Sequence, residues 1–222
     1  MAESVWKIPY TQPDSRALEQ AGFPPLLAAL LASRGVTSPA DARRIVSTEY
    51  SSLYDPLLML GMEQVRARIM QAVSSGEKVT VYGDYDVDGI TSTCLLTDYL
   101  RSLGVDCGWY IPDRNSEGYG LNKAALKKLR DEGNTLIVTV DCGITAIEEA
   151  VYAREIGLDL VITDHHECRD GQVPDACAVI DPKRPDDTYP NSELAGVGVA
   201  FKLVCACSGN TRAMLEKYAD LV

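Results

Sequence analysis

Histidine is nearly absent from this chain: there are two in 222 residues, and they are neighbours, His165 and His166. Phenylalanine and tryptophan are as scarce. No stretch approaches the roughly 18 consecutive apolar residues that would cross a bilayer. The opening MAESVWKIPYTQPDS lacks the basic-then-apolar order of a secretory signal. Together these absences exclude a helical membrane protein and make the cytosol the expected location, so the protein reads as cytoplasmic. No cysteine stands in a CxxC pair, and Cys94, Cys107, Cys142, Cys168, Cys177, Cys205 and Cys207 have no zinc-type spacing. An odd, scattered set reads as reduced thiols in packed positions, with Cys94, Cys142 and Cys205 in apolar segments. Basic residues are also in deficit, 21 against 32 acidic, for a formal charge of −11. That balance argues against a general nucleic-acid surface, unless bound divalent cations invert the local sign and a basic channel comes from elsewhere.

What is present is a change of pattern near Gly61. Residues 1–60 read as a helical N-terminal arm, with PPLLAALLASRG one short helix and SPADARRIVS another, capped by Ser38 with Pro39 in its first turn. From there strand-like and helix-like runs alternate. The strands are KVTVYG, VDCGWYIP, TLIVTVDCG, LDLVITDHH and CAVIDP. The helices are MEQVRARIMQAVSSG, ITSTCLLTDYLRSLG, NKAALKKLRDEG and TAIEEAVYAREIG. Such alternation predicts βαβ crossovers, hence an α/β fold whose mostly parallel sheet is flanked by helices on both faces. TLIVTV and LDLVIT are almost continuously apolar, as strands covered on both sides must be. After KRPDDTYPNSE come the small-residue helix LAGVGVAFKLVCACSG and a last helical run, RAMLEKYADLV. We expect a core over residues 61–207, and over 208–222 the start of a helix leading into sequence beyond this chain.

Three of the strand runs end in the same kind of chemistry. KVTVYG is followed by Asp84, Asp86 and Asp88, TLIVTV by Asp141, and LDLVIT by Asp164, His165 and His166. The carboxyl ends of parallel strands share one edge of the sheet, where ligands bind, so five carboxylates and two imidazoles should meet in one crevice. If the Asp84–Asp88 stretch is extended, its three acids at every second position share a face and repel one another. Oxygen ligands with some imidazole suit manganese, magnesium or zinc, the lack of thiolate weighs against a structural zinc site, and two divalent ions sharing a carboxylate suit hydrolysis at phosphorus. The alternatives are plainer. Asp84–Gly89 matches half of a calcium-binding EF-hand loop, but its twelfth position is Leu95 where a glutamate is required. Asp141 alone could be a turn residue, and the two histidines could be surface residues.

These segments resemble the motifs of the DHH phosphoesterase superfamily: DYDVDG, VDCGI and TDHH. The flanking VYGDYDVDGITST, YIPDRNSEGYGLN, DPKR and ELAGVGVAFKL are similar to the RecJ family of single-stranded-DNA-specific exonucleases within it. The resemblance implies a hydrolase that degrades single-stranded DNA from the 5′ end with two divalent cations, Mn2+ or Mg2+, in DNA repair and recombination. Single-strand-binding proteins or helicases would be its partners. It assigns Asp86, Asp88, Asp141 and His165 as metal ligands, with Asp141 the bridge, and His166 as the contact to the scissile phosphate. Asp164 becomes the group that orients His165. Asp84 replaces a histidine ligand that other members carry where this chain has Tyr82, so Tyr82 is counted with the substrate-side residues. Arg114 is expected to hold a phosphate and Tyr119 to stack on a base. The family's fourth motif, a further metal-binding aspartate after a DLV segment, would follow Val222, so the resemblance implies an incomplete catalytic core. A small-substrate phosphodiesterase or pyrophosphatase of the same superfamily is the alternative, and a scaffold without turnover a further one.

Overall fold

The computed structural model describes residues 14–47, 53–114 and 116–222. The beginning of the expected arm, residues 1–13, and its stretch 48–52 lie outside the described residues. The chain divides into two compact units, Met1–Leu53 and Tyr54–Val222.

Among its described residues the first unit holds three short helices, α1 (Arg16–Gln20), α2 (Pro25–Ser33) and α3 (Pro39–Ile45). Ser38 caps α3 by accepting from the Asp41 amide, with Pro39 in the first turn where its missing N–H costs nothing. Leu18, Ala28, Leu31 and Ala42 form its small core. The sequence pattern did not reveal α1, whose 5 residues are too few for helical periodicity to show.

In the second unit, α4 (Met62–Ser75) precedes the first strand. The remaining elements are β1 (Lys78–Tyr82), α5 (Val87–Ser102), β2 (Asp106–Tyr110), α6 (Lys123–Asp131), β3 (Leu136–Thr139), α7 (Ile147–Glu155), β4 (Asp159–Thr163), β5 (Ala178–Ile180), α8 (Gly196–Ser208) and α9 (Thr211–Tyr218). The five strands form one parallel sheet in the order β2-β1-β3-β4-β5. Alternation along the strands fills two cores. Val79, Val81, Leu136, Val138, Val161 and Ile180 face the side covered by α4, α5 and α8. Tyr82, Ile137, Leu160, Ile162 and Val179 face the side covered by α6 and α7. The expected doubly covered α/β sheet is therefore the observed one. Strand order reverses between β1 and β3, and in such sheets the crevice for a ligand opens at the carboxyl ends of the strands on either side of that reversal.

Helix α5 begins earlier than its apolar run implies, and this corrects the extended reading of the acidic stretch. Asp86 is the N-cap, its Oδ1 accepting from the Gly89 amide at 3.0 Å, so Asp88 already lies in the first helical turn. Asp84, Asp86 and Asp88 consequently do not share one face of a strand; a turn distributes them around the start of a helix. Of the cysteines, Cys107, Cys142 and Cys205 are buried as expected, whereas Cys94 and Cys177 are exposed.

The tight passage from β1 into α5 depends on Gly89, where a Cβ would stand 2.4 Å from the backbone oxygen of Asp84. Gly89→Ala should therefore lower stability by about 1–3 kcal/mol in urea titration, the usual cost of overpacking against a backbone atom. An unchanged midpoint would show that the turn can yield.

Candidate metal centre

Each of four strands delivers one buried aspartate at or just past its carboxyl end: Asp84 after β1, Asp141 after β3, Asp164 after β4 and Asp181 after β5. Asp141 itself is turned into the left-handed region, with φ 59°, a conformation that an ordinary side chain holds only at a cost. The local backbone is thus bent to aim this carboxylate inward. Two groups of ligand atoms, each within 4.8 Å of one another, come together here: Asp84, Asp86 and Asp141, and Asp141, His165 and His166. Asp141 belongs to both.

The hydrogen bonding separates acids that are held from acids that are open. Asp164 Oδ2 accepts from the Ile144 amide at 2.9 Å, while its Oδ1 accepts from the His165 amide at 2.7 Å and contacts His166 Nδ1 at 2.7 Å. The ring that Asp164 orients is therefore that of His166, a correction to its expected role toward His165. The backbone bends at His166 just past β4, and the amides of both histidines donate to Asp164 Oδ1, which brings the second ring onto the aspartate. His165 Nε2 lies 3.1 Å from Asp141 Oδ1, without hydrogen-bond geometry, and 3.5 Å from Asp88 Oδ2. By contrast, Asp84 Oδ1 and Asp141 Oδ1 are buried with no hydrogen-bond partner among the described residues. A carboxylate oxygen left without a donor in the interior is costly, and a cation is the partner that such a donor set fits. Mixed carboxylate and imidazole suit manganese or magnesium. The thiol of Cys142 lies close by, but burial and the surrounding acids push it well above its ordinary pKa and keep it protonated.

Charge follows from these contacts. Burial pushes the Asp141 carboxyl up to about 6, its largest cause being lost hydration, with Asp88 and Asp86 adding repulsion. Burial likewise raises Asp84. The contact with Asp164 pushes His166 up to about 9, which leaves it cationic at neutral pH, and the Asp141 carboxylate raises His165. Asp88 takes a different partner: its two oxygens accept from the Gly196 and Val197 amides at 2.7 and 2.6 Å.

On the open side, the Arg114 guanidinium sits 5.1 Å over the Tyr85 ring, Tyr85 meets Tyr119 edge to face at 6.4 Å, and the Tyr119 hydroxyl lies 3.4 Å from His166 Nδ1. Arg114 and Tyr119 are exposed and border the acidic cluster. Tyr82 is not part of this edge. It is 0% exposed, its hydroxyl donates to the Gly120 carbonyl at 3.0 Å, and it stacks on Tyr110. Its place on β1 turns it into the core beneath α6 and α7, away from any substrate, so its expected place among the substrate-side residues is withdrawn.

Two residues escaped the sequence reading. Tyr85 joins Arg114 to Tyr119. Asp181 is fully buried, with Oδ1 accepting from the Lys183 amide at 2.8 Å and Oδ2 without a partner among the described residues, and burial pushes it up to about 6. The rule that found the other strand-end acids, applied to CAVIDP, points to it as well.

The raised acids set a pH dependence. Asp141 and Asp181 bind protons more tightly folded, near pH 6, than at their ordinary 3.8. Between those values the folded state holds more protons, so stability of the metal-free protein falls as pH rises from about 4 to 6. Asp181→Asn keeps an acceptor for Lys183 and removes the ionisation. It should flatten that fall in a series of thermal melts and stabilise the chain at pH 7 by about 1–3 kcal/mol; an equally steep fall in the variant would remove Asp181 from the account.

Comparison with known proteins accords with this arrangement. Residues 78–222 match the DHH family, N-terminal domain. The chain is 46% identical over 210 residues to the single-stranded-DNA-specific exonuclease RecJ of Bacillus subtilis, covering 92% of this chain and 27% of that protein. It is 38% identical over 194 residues to RecJ of Escherichia coli, covering 87% and 33%. The chain thus spans a third or less of these relatives. Among solved structures it is similar to exonuclease RecJ bound to manganese, with a TM-score of 0.66, 34% identity, and 73% of this chain and 41% of that one covered. It is also similar to RecJ in complex with Mn2+ from Thermus thermophilus, with a TM-score of 0.69, 28% identity, and 92% and 28% covered. On the match of its residues 78–222, and with the strand-end acids and paired histidines in one crevice, the chain belongs to the DHH family.

Proposed function

We propose that residues 61–207 form the catalytic core of a divalent-metal-dependent exonuclease that hydrolyses single-stranded DNA from its 5′ end, acting in the cytoplasm in DNA repair and recombination. The observation that carries this reading is the position of Asp141 between the Asp84 and Asp86 carboxylates on one side and the His165 imidazole on the other, with Asp88 Oδ2 3.5 Å from His165 Nε2. That arrangement suits two Mn2+ or Mg2+ ions, the ions named for the similar RecJ structures. Two such ions supply Lewis-acid charge at phosphorus and make water nucleophilic at neutral pH.

The chain's own residues have separable roles in this reading. Asp84, Asp86, Asp141 and His165 hold the ions, with Asp88 completing the set beside His165. His166, kept cationic by Asp164, presents positive charge to the scissile phosphate. Arg114 offers a planar fork to phosphate oxygens and is steadied on the Tyr85 ring. Tyr119, half exposed beside His166, offers a face on which a base can stack. The DNA substrate, the 5′ polarity and partners such as single-strand-binding proteins or helicases rest on the likeness to RecJ proteins.

The test is nuclease assay of the intact protein with Mn2+ on 5′-labelled and 3′-labelled single strands. The expected result is early release of 5′ label as mononucleotide, reduced to background by Asp141→Asn. Asp164→Asn, which spares the ligands but weakens the hold on His166, should cost about 10- to 100-fold in turnover. Hydrolysis of pyrophosphate with intact DNA left alone would replace this reading by that of a small-substrate phosphatase.

A further inference from the structure

We propose that the first turn of α8 is the positioning element of the metal centre, with Gly196 and Val197 as positioning residues that fix Asp88 and make room for Asp141. The inference rests on the metal-centre reading above and adds to it a segment, LAGVGVAFK, that carries no metal-ligating side chain. Two independent contacts converge there. First, Asp88 Oδ2 accepts from the Gly196 amide at 2.7 Å and Oδ1 from the Val197 amide at 2.6 Å. First-turn amides have no partner inside their own helix. The residue at the N-cap of α8, Ala195, has no side chain able to serve them, so a carboxylate from α5, 108 positions earlier, caps α8 instead. Charge-assisted bonds to both oxygens fix the rotation of the carboxylate, and the oxygen bonded to Gly196 is the one that faces His165 Nε2 at 3.5 Å.

Second, Gly196 leaves space rather than conformational freedom. A Cβ there would stand 2.5 Å from Asp141 Oδ1 and 2.7 Å from Asp141 Cβ, closer than real contacts allow. Its backbone is not in the left-handed region, so the need for glycine comes from the nearness of Asp141 rather than from backbone conformation. Residues Gly196–Ala206 of α8 are buried, so the helix cannot back away to relieve either contact. One helix start therefore leaves the space that the shared carboxylate occupies and fixes the orientation of Asp88. Two positions along, a Cβ on Gly198 would meet the Leu194 side chain at 3.4 Å, an ordinary contact, which makes Gly198→Ala a matched control.

The experiment compares parent, Gly196→Ala and Gly198→Ala of the intact protein by calorimetric titration with Mn2+, thermal melting without metal, and turnover as a function of Mn2+ concentration. Gly198→Ala should match the parent. Gly196→Ala should weaken Mn2+ binding by about 10- to 100-fold, the range for groups that orient ligands, with turnover recovering as Mn2+ is raised. A purely structural defect would lower the melting temperature without moving the Mn2+ half-saturation point. Should Gly196→Ala not fold, replacement of Val197 by its α-hydroxy acid removes the N–H that donates to Asp88 Oδ1, while also making the Gly196 carbonyl a weaker acceptor within α8, and should weaken Mn2+ binding in the same direction. Parent-like Mn2+ affinity in a folded Gly196→Ala protein, or in the Val197 ester, overturns the proposal while leaving the metal centre standing. Absence of Mn2+ binding by the parent itself would overturn both.

Discussion

Burial of like charge is the constraint around which this unit is built. Asp84, Asp141, Asp164 and Asp181 all lie inside the protein at the carboxyl edge of one sheet, where water can no longer solvate them and their mutual repulsion is strongest. A fold tolerates this only if each charge is given a partner or a proton. Asp164 receives backbone amides and an imidazole, and Asp88 receives the amides of a helix start. Asp84, Asp141 and Asp181 each keep an oxygen that no group among the described residues satisfies. The unsatisfied oxygens of Asp84 and Asp141 fall where cations would be useful, and the pKa of Asp141, raised by burial, measures the cost of charging a carboxyl there.

The sheet makes the gathering possible without long loops. Strand order β2-β1-β3-β4-β5 places the reversal between β1 and β3, so the chain leaves these neighbouring strands toward opposite faces: α5 packs on one and α7 on the other. The gap between them is lined from the β1 side by Asp84 and Asp86 and from the β3 side by Asp141, with the two histidines entering from β4. The first turn of α8 meets the site from the α5 side through its two bonds to Asp88. Core packing and site geometry are coupled at that point, because the same helix that fills the apolar layer also bonds Asp88 and crowds Asp141.

Much of this was legible in the sequence. The alternation of apolar runs gave the α/β class, and acids following TLIVTV and LDLVIT located the site, because strand ends in a parallel sheet converge whatever the loops do. The failures have physical reasons too. Asp86 looked like the middle of an extended acidic row, but its side chain caps a helix, and capping is a choice made by backbone geometry that spacing alone does not show. Tyr82 looked like a substrate-side residue from its place in the motif, yet the two-residue period of β1 turns it into the opposite core. Asp164 serves His166 because of a turn that composition does not encode. Asp181 was missed although its position after β5 obeys the rule that found the others.

The sequence by itself determined the alternation of strands and helices that builds the sheet, its two-sided burial and the identity of the titrating groups at its edge, because these depend on local periodicity and side-chain chemistry. Only the tertiary structure decided which carboxylates face one another, which are satisfied by protein donors and which are left open, because those outcomes depend on contacts between residues far apart in the chain. The bonds from Gly196 and Val197 to Asp88 span more than a hundred positions. No local pattern records that a helix of small apolar residues sets its first turn against two of the site's acids.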